Sequence, residues 1–328
     1  MTAPKQNTCW IVTEGATGME NQCLGLAERL GLPIQVKRLK VAKPWRWLAP
    51  RTWGSAFGHL EAGSERLEPP WPRLLIGCGR QSIPFSLAVK RASGGKTFTV
   101  QCQNPRIGAE HFDLVIPPEH DEISGPHIFP IIGSPNRVTP AKLTQAKNDF
   151  GAMFGAMRSP RVAVLVGGYS KNYGRMGTQE AHELAQALKQ IAARGSLMIT
   201  TSRRTSVETN EILRAELAGT DTYFWDGKEP NPYFAMLAWA DAIIVTADSV
   251  NMACEAGATG KPVHIFVLPG ARAKARRFHA ALAARSVARV FTGVIEQWSY
   301  TPLDETGRAA AKIKSLLDLS RPPSDIKA

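Results

Sequence analysis

The sequence lacks the features that define several large classes of protein. Its five cysteines are scattered over 328 residues and never stand at C-x-x-C spacing, so neither a disulfide framework nor a zinc site is encoded. No histidine pair has a metal-ligand spacing such as H-x-x-x-H, and we predict no bound metal. No apolar run is long enough to cross a bilayer, and the N-terminus lacks the basic-then-apolar order of a signal peptide. We therefore expect a cytoplasmic chain whose cysteines are buried as small apolar side chains.

Common nucleotide-binding and nucleic-acid-binding motifs are absent as well. Gly15-x-x-Gly18 and Gly77-x-Gly79 do not complete G-x-G-x-x-G, and there is no P-loop G-K-[ST]. Zinc fingers, an aromatic RNA-binding signature and long Lys/Arg blocks are missing too, so we predict no nucleic-acid partner despite the net charge of +12. We expect the positive charge to attract anionic small substrates or an anionic membrane surface instead.

Buried strands alternate with amphipathic helices along both halves of the chain, a pattern typical of parallel sheets. We predict an α/β fold of two Rossmann-like doubly wound parallel-sheet domains that face a cleft. The domain boundary is placed at the helix predicted from Pro140 to Met157. The predicted domains are residues 1–157 and 158–300, and residues 301–328 form a C-terminal helix and frayed tail.

The stretch from Ala240 to Pro262 combines a buried strand, a polar turn and a helix start. A helix that opens at Asp248 or Ser249 points N–H groups at an anion, and Glu255 within it can accept from ribose hydroxyls. Ligands of open α/β sheets bind beyond the carboxyl ends of strands, so polar residues of three such loops converge on one predicted nucleotide-sugar site. Its donor-binding residues are Gly167, Gly168, Ser170, Lys171, Ser202, Arg204, Thr246, Ser249, Asn251 and Glu255. The alternative is an ordinary βαβ unit in which Glu255 is merely solvated.

Transfer of the sugar needs charge stabilisation on the leaving group and a base for the acceptor. Arg203 suits the diphosphate, and Glu14, at the end of the first strand, is the candidate base. Alternatively, Arg203 and Arg204 are surface charges, and Glu14 or Glu20 only caps the following helix. The reserve carboxylates are Asp113, Glu119 and Asp121. Loops of the first domain supply the predicted acceptor-binding residues Gly15, Gly18, Gln22, Arg80, Gln81, Gln103 and Asn104.

Three of the eight tryptophans alternate with cations between Lys43 and Trp53. Tryptophan with Arg or Lys is the composition that settles at a lipid headgroup interface, although the prolines exclude a long amphipathic helix. The residues concerned are Trp45, Arg46, Trp47, Arg51 and Trp53. The segment predicts peripheral docking on the cytoplasmic membrane face, and the alternative is that these tryptophans pack between elements of the first domain.

Six segments together resemble the mitochondrial fission ELM (elongated mitochondria) family, and the resemblance runs from about Trp10 to Phe291. They are T-E-G-A-T-G-M-E-N-Q-C-L-G-L-A-E, G-C-G-R-Q-S, Q-N-P-R, F-D-L-V-I-P-P-E-H-D, T-S-R-R-T and V-T-A-D-S-V-N-M-A-C-E-A. Bacterial members of the family are similar to GT-B glycosyltransferases, in which the C-terminal domain holds the nucleotide sugar. The plant member implies a different role, the recruitment of a dynamin-like protein at the mitochondrial surface. Met19 stands where lipid-acceptor GT-B enzymes often have a histidine.

The resemblance implies that Gly167, Ser202, Arg203, Ser249 and Glu255 contact the nucleotide sugar. The sequence thus favours a metal-independent, inverting glycosyltransferase with no cofactor besides its nucleotide-sugar co-substrate. The predicted acceptor is a lipid-linked or cell-envelope saccharide, such as lipopolysaccharide core or a glycolipid. Two alternatives stay open: a sugar-nucleotide epimerase of the same fold, and a non-enzymatic interaction scaffold of the mitochondrial fission type.

Overall fold

Eleven strands and ten α-helices alternate along residues 7–48, 56–228 and 230–319, which the computed structural model describes. The chain divides into two units, residues 1–137 with 304–328 and residues 138–303. Each unit is built around its own parallel sheet, as predicted. No helix among the described residues combines the length and apolarity needed to cross a membrane.

The first unit has a five-stranded sheet in the order β2-β1-β3-β4-β5. Every strand pair is parallel, and the sheet core contains the buried thiols of Cys9, Cys23, Cys78 and Cys102. All five cysteines lie among the described residues and are buried, as predicted. The elements are β1 (Cys9–Thr13), α1 (Thr17–Leu30), β2 (Ile34–Arg38), β3 (Leu74–Cys78), α2 (Ser82–Ala92), β4 (Phe98–Cys102) and β5 (Leu114–Ile116).

The second unit has a six-stranded sheet in the order β11-β10-β9-β6-β7-β8. Counted within the unit, this is the 3-2-1-4-5-6 order of dinucleotide-binding folds, read from the other edge. Its first elements are α3 (Pro140–Asp149), α4 (Gly151–Phe154), β6 (Arg161–Val166), α5 (Thr178–Ala192), β7 (Ser196–Thr201) and α6 (Val207–Glu216). The remaining elements are β8 (Thr222–Phe224), α7 (Tyr233–Trp239), β9 (Ala242–Thr246), α8 (Val250–Gly257), β10 (Val263–Phe266), α9 (Ala273–Ala284) and β11 (Ala288–Val290).

The division between the units differs from the predicted boundary at residue 157. Helix α3 packs against α7, where the indole of Trp239 donates to the Lys147 carbonyl at 3.0 Å and the Lys147 ammonium lies 4.7 Å from the indole ring centre. The helix predicted to separate the domains therefore belongs to the second one. At the other end, α10 (Glu305–Leu319) packs on α1 and buries Ile313 in the core of the first unit.

Two local predictions also differ from the structure. From the sequence, Arg285 and Arg289 are predicted to lie on one helix, but Arg289 lies in the edge strand β11, which pairs with β10 through three residues. The helix expected from Pro140 to Met157 ends at Asp149, and a separate turn of helix follows from Gly151 to Phe154. Short strands and helix ends depend on tertiary partners more than on local pattern, which is why both were missed.

Candidate functional site

The connections of the second sheet reverse direction between β6 and β9, and this switch point is where ligands of such folds bind. Two backbone N–H groups that follow β6 are held by side chains that follow β9. Gly167 donates to the Thr246 hydroxyl and Gly168 to an Asp248 carboxylate oxygen, each at 2.7 Å. The loops after β6 and β9 are thus tied into one surface.

Both glycines are required by close packing. A Cβ on Gly167 would lie 2.1 Å from an Asp248 oxygen, and one on Gly168 would lie 2.2 Å from the Arg204 carbonyl carbon. Neither contact can be relieved by moving a flexible chain end, because the first neighbour is a buried carboxylate and the second is backbone. The glycines therefore let the loops after β6, β7 and β9 approach one another.

Asp248 is a buried carboxylate at the centre of this surface, with 7% of its area exposed. Burial raises its pKa, while hydrogen bonds from Thr246 and the Gly168 N–H and the charge of Arg204 act in the opposite direction. Asp248 holds the loop backbone in place and lies beside the predicted donor site. The sequence assigned it only as a candidate helix cap.

The loop after β7 carries Ser202, Arg203 and Arg204 and is closed by Thr205. The Thr205 hydroxyl accepts from the Ser202 N–H at 2.9 Å and donates to the Gly167 carbonyl. The Arg204 carbonyl in turn accepts from the Tyr169 N–H at 3.3 Å. Both arginine side chains are exposed on this closed turn, next to the loop after β6.

Ser249 is the N-cap of α8, and its hydroxyl accepts from the Met252 N–H at 3.4 Å. Asn251 lies in the first turn of the helix and is half-buried. The helix begins directly beyond the carboxyl end of β9, so its positive dipole end faces the switch point. The sequence predicted this strand, cap and helix in that order.

Glu255 lies in the second turn of α8 with 9% of its area exposed. Within the described part of the chain, its one side-chain hydrogen bond is with the Tyr233 hydroxyl, which donates at 2.6 Å. Burial raises the pKa of Glu255 to about 7, and the Tyr233 hydrogen bond acts in the opposite direction. The reading of Glu255 as a merely solvated carboxylate does not fit this burial.

Ser170 and Lys171 lie in a tight turn after β6. Ser170 and Gly174 form an antiparallel bridge, and the Ser170 hydroxyl accepts from the Asn172 N–H at 3.2 Å. Lys171 is exposed at the tip of this turn. Together with the loops described above, the second unit brings the predicted donor residues to one edge of its sheet.

The first unit has its own switch point, between β1 and β3. Glu14 follows β1 and is exposed. A hydrogen bond with Cys23 lowers the pKa of the Cys78 thiol at the end of β3, but burial and, to a smaller extent, the charge of Glu14 raise it, and the net shift is upward. Gly15 adopts the left-handed φ of +82° and donates to the Thr13 hydroxyl at 3.1 Å. Glu20, named from the sequence as a possible helix cap, is bound at both oxygens by Arg38 at 2.8 and 2.7 Å. Glu14 is therefore the carboxylate placed at this switch point.

Amide side chains connect the strand ends beside Glu14. The Gln22 side-chain oxygen accepts from the Gln103 amide at 3.2 Å and from the Cys78 thiol at 3.5 Å. Gln103 holds a φ of +69°, and the Asn104 side chain accepts from the Arg106 N–H at 2.8 Å. Of the remaining predicted acceptor residues, Gly18 lies in the first turn of α1 and Gln81 directly precedes α2.

Arg80, a predicted acceptor-binding residue, contacts the backbone of its own unit. Its guanidinium donates to the carbonyls of Arg46, Trp47 and Leu48, with distances of 3.3 Å to the last two. It thereby fixes the 3₁₀ turn Trp45–Trp47 to the end of β3. The guanidinium group that the sequence predicts to bind the acceptor therefore makes these backbone contacts.

The predicted group of tryptophans is divided by the structure. Trp45 stacks on His59 with ring centres 3.7 Å apart and packs against the apolar core. Trp47 is 63% exposed and Leu48 is 40% exposed. Trp45 therefore has the packing role and Trp47 the surface role, while Arg51 and Trp53 lie outside the described residues.

The reserve base Asp113 accepts hydrogen bonds from Lys90 and from Thr99, which hold it against strands β4 and β5.

Three residues of the second unit escaped the sequence reasoning. Tyr233 is the hydrogen-bond partner of Glu255. Tyr173 and His279 meet edge to face with ring centres 6.0 Å apart, and a His279 ring nitrogen lies 2.9 Å from the Ala247 carbonyl oxygen. No local spacing indicates these contacts, because each joins elements that are distant in sequence.

Comparison with known structures identifies the type of fold. A UDP-GlcNAc 2-epimerase from Methanocaldococcus jannaschii superposes with a TM-score of 0.58 at 10% identity, covering 95% of this chain and 99% of that one. A UDP-N-acetylglucosamine 2-epimerase from Rickettsia bellii gives 0.53 at 14% identity, with coverages of 95% and 96%. The fold is therefore of the GT-B type, with two parallel-sheet α/β domains.

The family model "Mitochondrial fission ELM1" matches residues 17–317. "Mitochondrial fission protein ELM1" from Arabidopsis thaliana is 30% identical, over 93% of this chain and 90% of that protein. An uncharacterised protein from Rickettsia prowazekii is 25% identical over 95% of this chain and 99% of its own length. The chain belongs to the mitochondrial fission ELM1 family, which confirms the resemblance stated from the sequence.

Proposed function

We propose that this protein is a glycosyltransferase that binds a nucleotide-sugar donor at the β6–β9 switch point of its second unit. The main observation behind the proposal is that the Glu255 carboxylate in α8 is buried with one tyrosine hydroxyl as its hydrogen-bond partner. Burying a carboxyl group with so few hydrogen bonds costs stability, so its place beside a ligand-binding edge needs a reason. Two ribose hydroxyls would supply the missing donors.

The charge distribution supports a diphosphate leaving group. Arg203 and Arg204 stand exposed after β7, and the start of α8 adds the positive end of a helix dipole. In the proposed step, an acceptor hydroxyl bonds to the anomeric carbon, the bond from that carbon to the diphosphate oxygen breaks, and the electron pair leaves with the diphosphate. Fixed cations can stabilise that charge, so the proposal includes no metal and no cofactor besides the donor.

Glu14 is the proposed base that takes the proton of the acceptor hydroxyl. It is the exposed carboxylate of the first unit's switch point, adjacent to the left-handed Gly15 and near the amides of Gln22 and Gln103. Amide groups donate to and accept from sugar hydroxyls, which favours a saccharide acceptor. We assign that acceptor to the cell envelope, in lipid-linked form.

The Trp45–Trp47 turn supports a peripheral position on the cytoplasmic membrane face. Trp47 and Leu48 project from a turn that Arg80 fixes at three carbonyls, and Lys43 and Arg46 beside them are exposed. Aromatic and cationic side chains together favour an anionic headgroup region. A lipid surface would then present the acceptor to the unit that carries Glu14.

The proposal is tested first by thermal shift against UDP, GDP, CMP and dTDP sugars. A ligand at a hundred times its dissociation constant should stabilise the protein by about 2.7 kcal/mol. Glu255→Ala should greatly reduce that shift, and the matched control Glu296→Ala, whose carboxylate pairs with Arg289 at 2.6 Å, should keep it.

Product analysis with the stabilising donor then separates the candidate activities. Sugar transferred to a membrane-extract acceptor supports the glycosyltransferase. Epimerised nucleotide sugar formed without acceptor would replace it by an epimerase. An absence of any nucleotide-dependent shift would refute the proposal and favour an interaction scaffold.

A further inference from the structure

Helix α9 and its flanks form a basic segment without acidic residues. No Asp or Glu occurs between Glu255 and Glu296, whereas the N-cap and first five residues of α9 carry Arg272, Lys274, Arg276 and Arg277. Cations are unfavourable in the first turn of a helix, where the dipole is already positive. Such an arrangement is better explained by a bound anion than by the stability of the helix.

One face of α9 contacts both loops of the β6–β9 switch point. The Arg272 N–H donates to the Asn172 carbonyl at 3.0 Å, in the loop after β6. About two helical turns further along, His279 lies 2.9 Å from the Ala247 carbonyl, in the loop after β9. Because a carbonyl only accepts, the His279 Nε2 carries the proton of that bond. Arg272, Arg276 and His279 are spaced by four and by three residues and therefore share this face.

Arg276 is anchored on this face by a backbone carbonyl. One guanidinium nitrogen donates to the Ala271 carbonyl at 2.5 Å, and within the described ranges no carboxylate pairs with Arg276 or with Arg272. Burial raises the pKa of Tyr173 to about 12, Asp248 contributes to that rise, and the charge of Arg276 opposes it. Arg276 is thus close enough to act on a side chain of the switch point.

We infer that Arg272 and Arg276 form an anion-binding pair that makes the donor site selective for a nucleoside diphosphate over the corresponding monophosphate. The inference rests on the proposed donor site and names the group that selects its ligand. A guanidinium can bind phosphate oxygens with two parallel hydrogen bonds, and two of them side by side match the charge of a diphosphate. Lys274 and Arg277, at the other i,i+3 positions of the helix, are not part of the pair.

The test compares Arg276→Gln and Arg272→Gln with Arg285→Gln in the full-length chain. Arg285 is the C-cap of the same helix, so its replacement removes the same charge away from the switch-point loops. Affinities for UDP, UMP and inorganic pyrophosphate are measured by calorimetry, together with the GDP/GMP pair, and melting temperatures confirm folding. We expect the diphosphate-to-monophosphate affinity ratio to fall about tenfold in Arg276→Gln and to stay unchanged in Arg285→Gln.

The outcomes separate this inference from the proposed function. Diphosphate selectivity that survives in both Arg272→Gln and Arg276→Gln would overturn the inference and leave the nucleotide site in place. Pyrophosphate binding that depends on Arg276, without any nucleotide binding, would support the anion pair and refute the sugar-nucleotide site. Equal losses in Arg276→Gln and Arg285→Gln would show a general effect of net charge and also overturn the inference.

Discussion

Replacing Glu255 by Gln should change how the stability of the protein depends on pH. Burial raises the pKa of Glu255 from 4.5 to about 7 in the folded chain. Between these two pH values the unfolded chain loses its proton while the folded chain keeps it, so stability falls as pH rises. Gln has the same shape, keeps a side-chain oxygen for the Tyr233 hydroxyl and cannot ionise. The Gln variant should therefore not show the decrease in stability with rising pH that ionisation of Glu255 causes.

The expected size follows from the two pKa values. A difference of one pH unit in pKa corresponds to about 1.36 kcal/mol, so Glu255 should cost the wild type about 3 kcal/mol well above pH 7 and nothing well below pH 4.5. Between pH 5 and pH 8, the unfolding free energy of Glu255→Gln should thus rise by about 2 to 3 kcal/mol relative to the wild type.

Urea unfolding of both proteins at pH 5, 6, 7 and 8 measures this difference, and subtraction cancels the groups common to both. Glu216→Gln is the matched control, because Glu216 is ion-paired with Lys189 at 2.6 Å and its pKa is lowered. Between pH 5 and pH 8, the unfolding free energy of that control relative to the wild type should fall or stay unchanged. Parallel curves for wild type and Glu255→Gln would show that the Glu255 carboxyl is ordinary, and would remove the main argument for the site.

Nucleotide binding should be linked to the same proton. Ribose hydroxyls donate to the ionised carboxylate, so a bound nucleoside diphosphate should lower the pKa of Glu255 and release protons near pH 6 to 7. Calorimetry in two buffers of different ionisation enthalpy measures that release. Glu255→Ala should weaken binding by about 1.5 to 3 kcal/mol and release none.

Three further predictions follow from the geometry. Gly167→Ala should weaken nucleotide binding and lower the melting temperature, because the added Cβ lies 2.1 Å from an Asp248 oxygen; wild-type affinity would show that the loops are not tied together. Arg203→Ala should lower kcat more than it raises the donor KM, since leaving-group charge grows in the transition state, and an effect on KM alone would limit Arg203 to ground-state binding. Trp47→Ser should abolish sedimentation with anionic vesicles at low salt without lowering the melting temperature, whereas Trp45→Ser should lower it. Failure of the wild-type protein to sediment with anionic vesicles at low salt would refute the membrane proposal.

Local pattern was sufficient for most elements of both sheets. Runs such as Ala242 to Val245 are apolar and β-branched because parallel strands are covered on both faces, and that requirement is visible in any single strand. Ser249 as N-cap and the helix that carries Glu255 were likewise readable, since capping involves residues three apart. The recurrence of the same pattern in both halves of the chain also predicted the two-domain organisation, and the family resemblance agreed with it.

Tertiary structure alone decided which side chains act together. The Tyr233 hydroxyl on Glu255, Asp248 on the Gly168 N–H and Arg80 on the Trp45–Trp47 turn each join segments that are distant in sequence. The same holds for the unit boundary, which depends on α3 packing against α7 and α10 against α1. A sequence records the period and polarity of each element, because these depend on neighbours along the chain. It does not record which loops meet, because that is set by strand order in the sheet and by the packing of helices upon it.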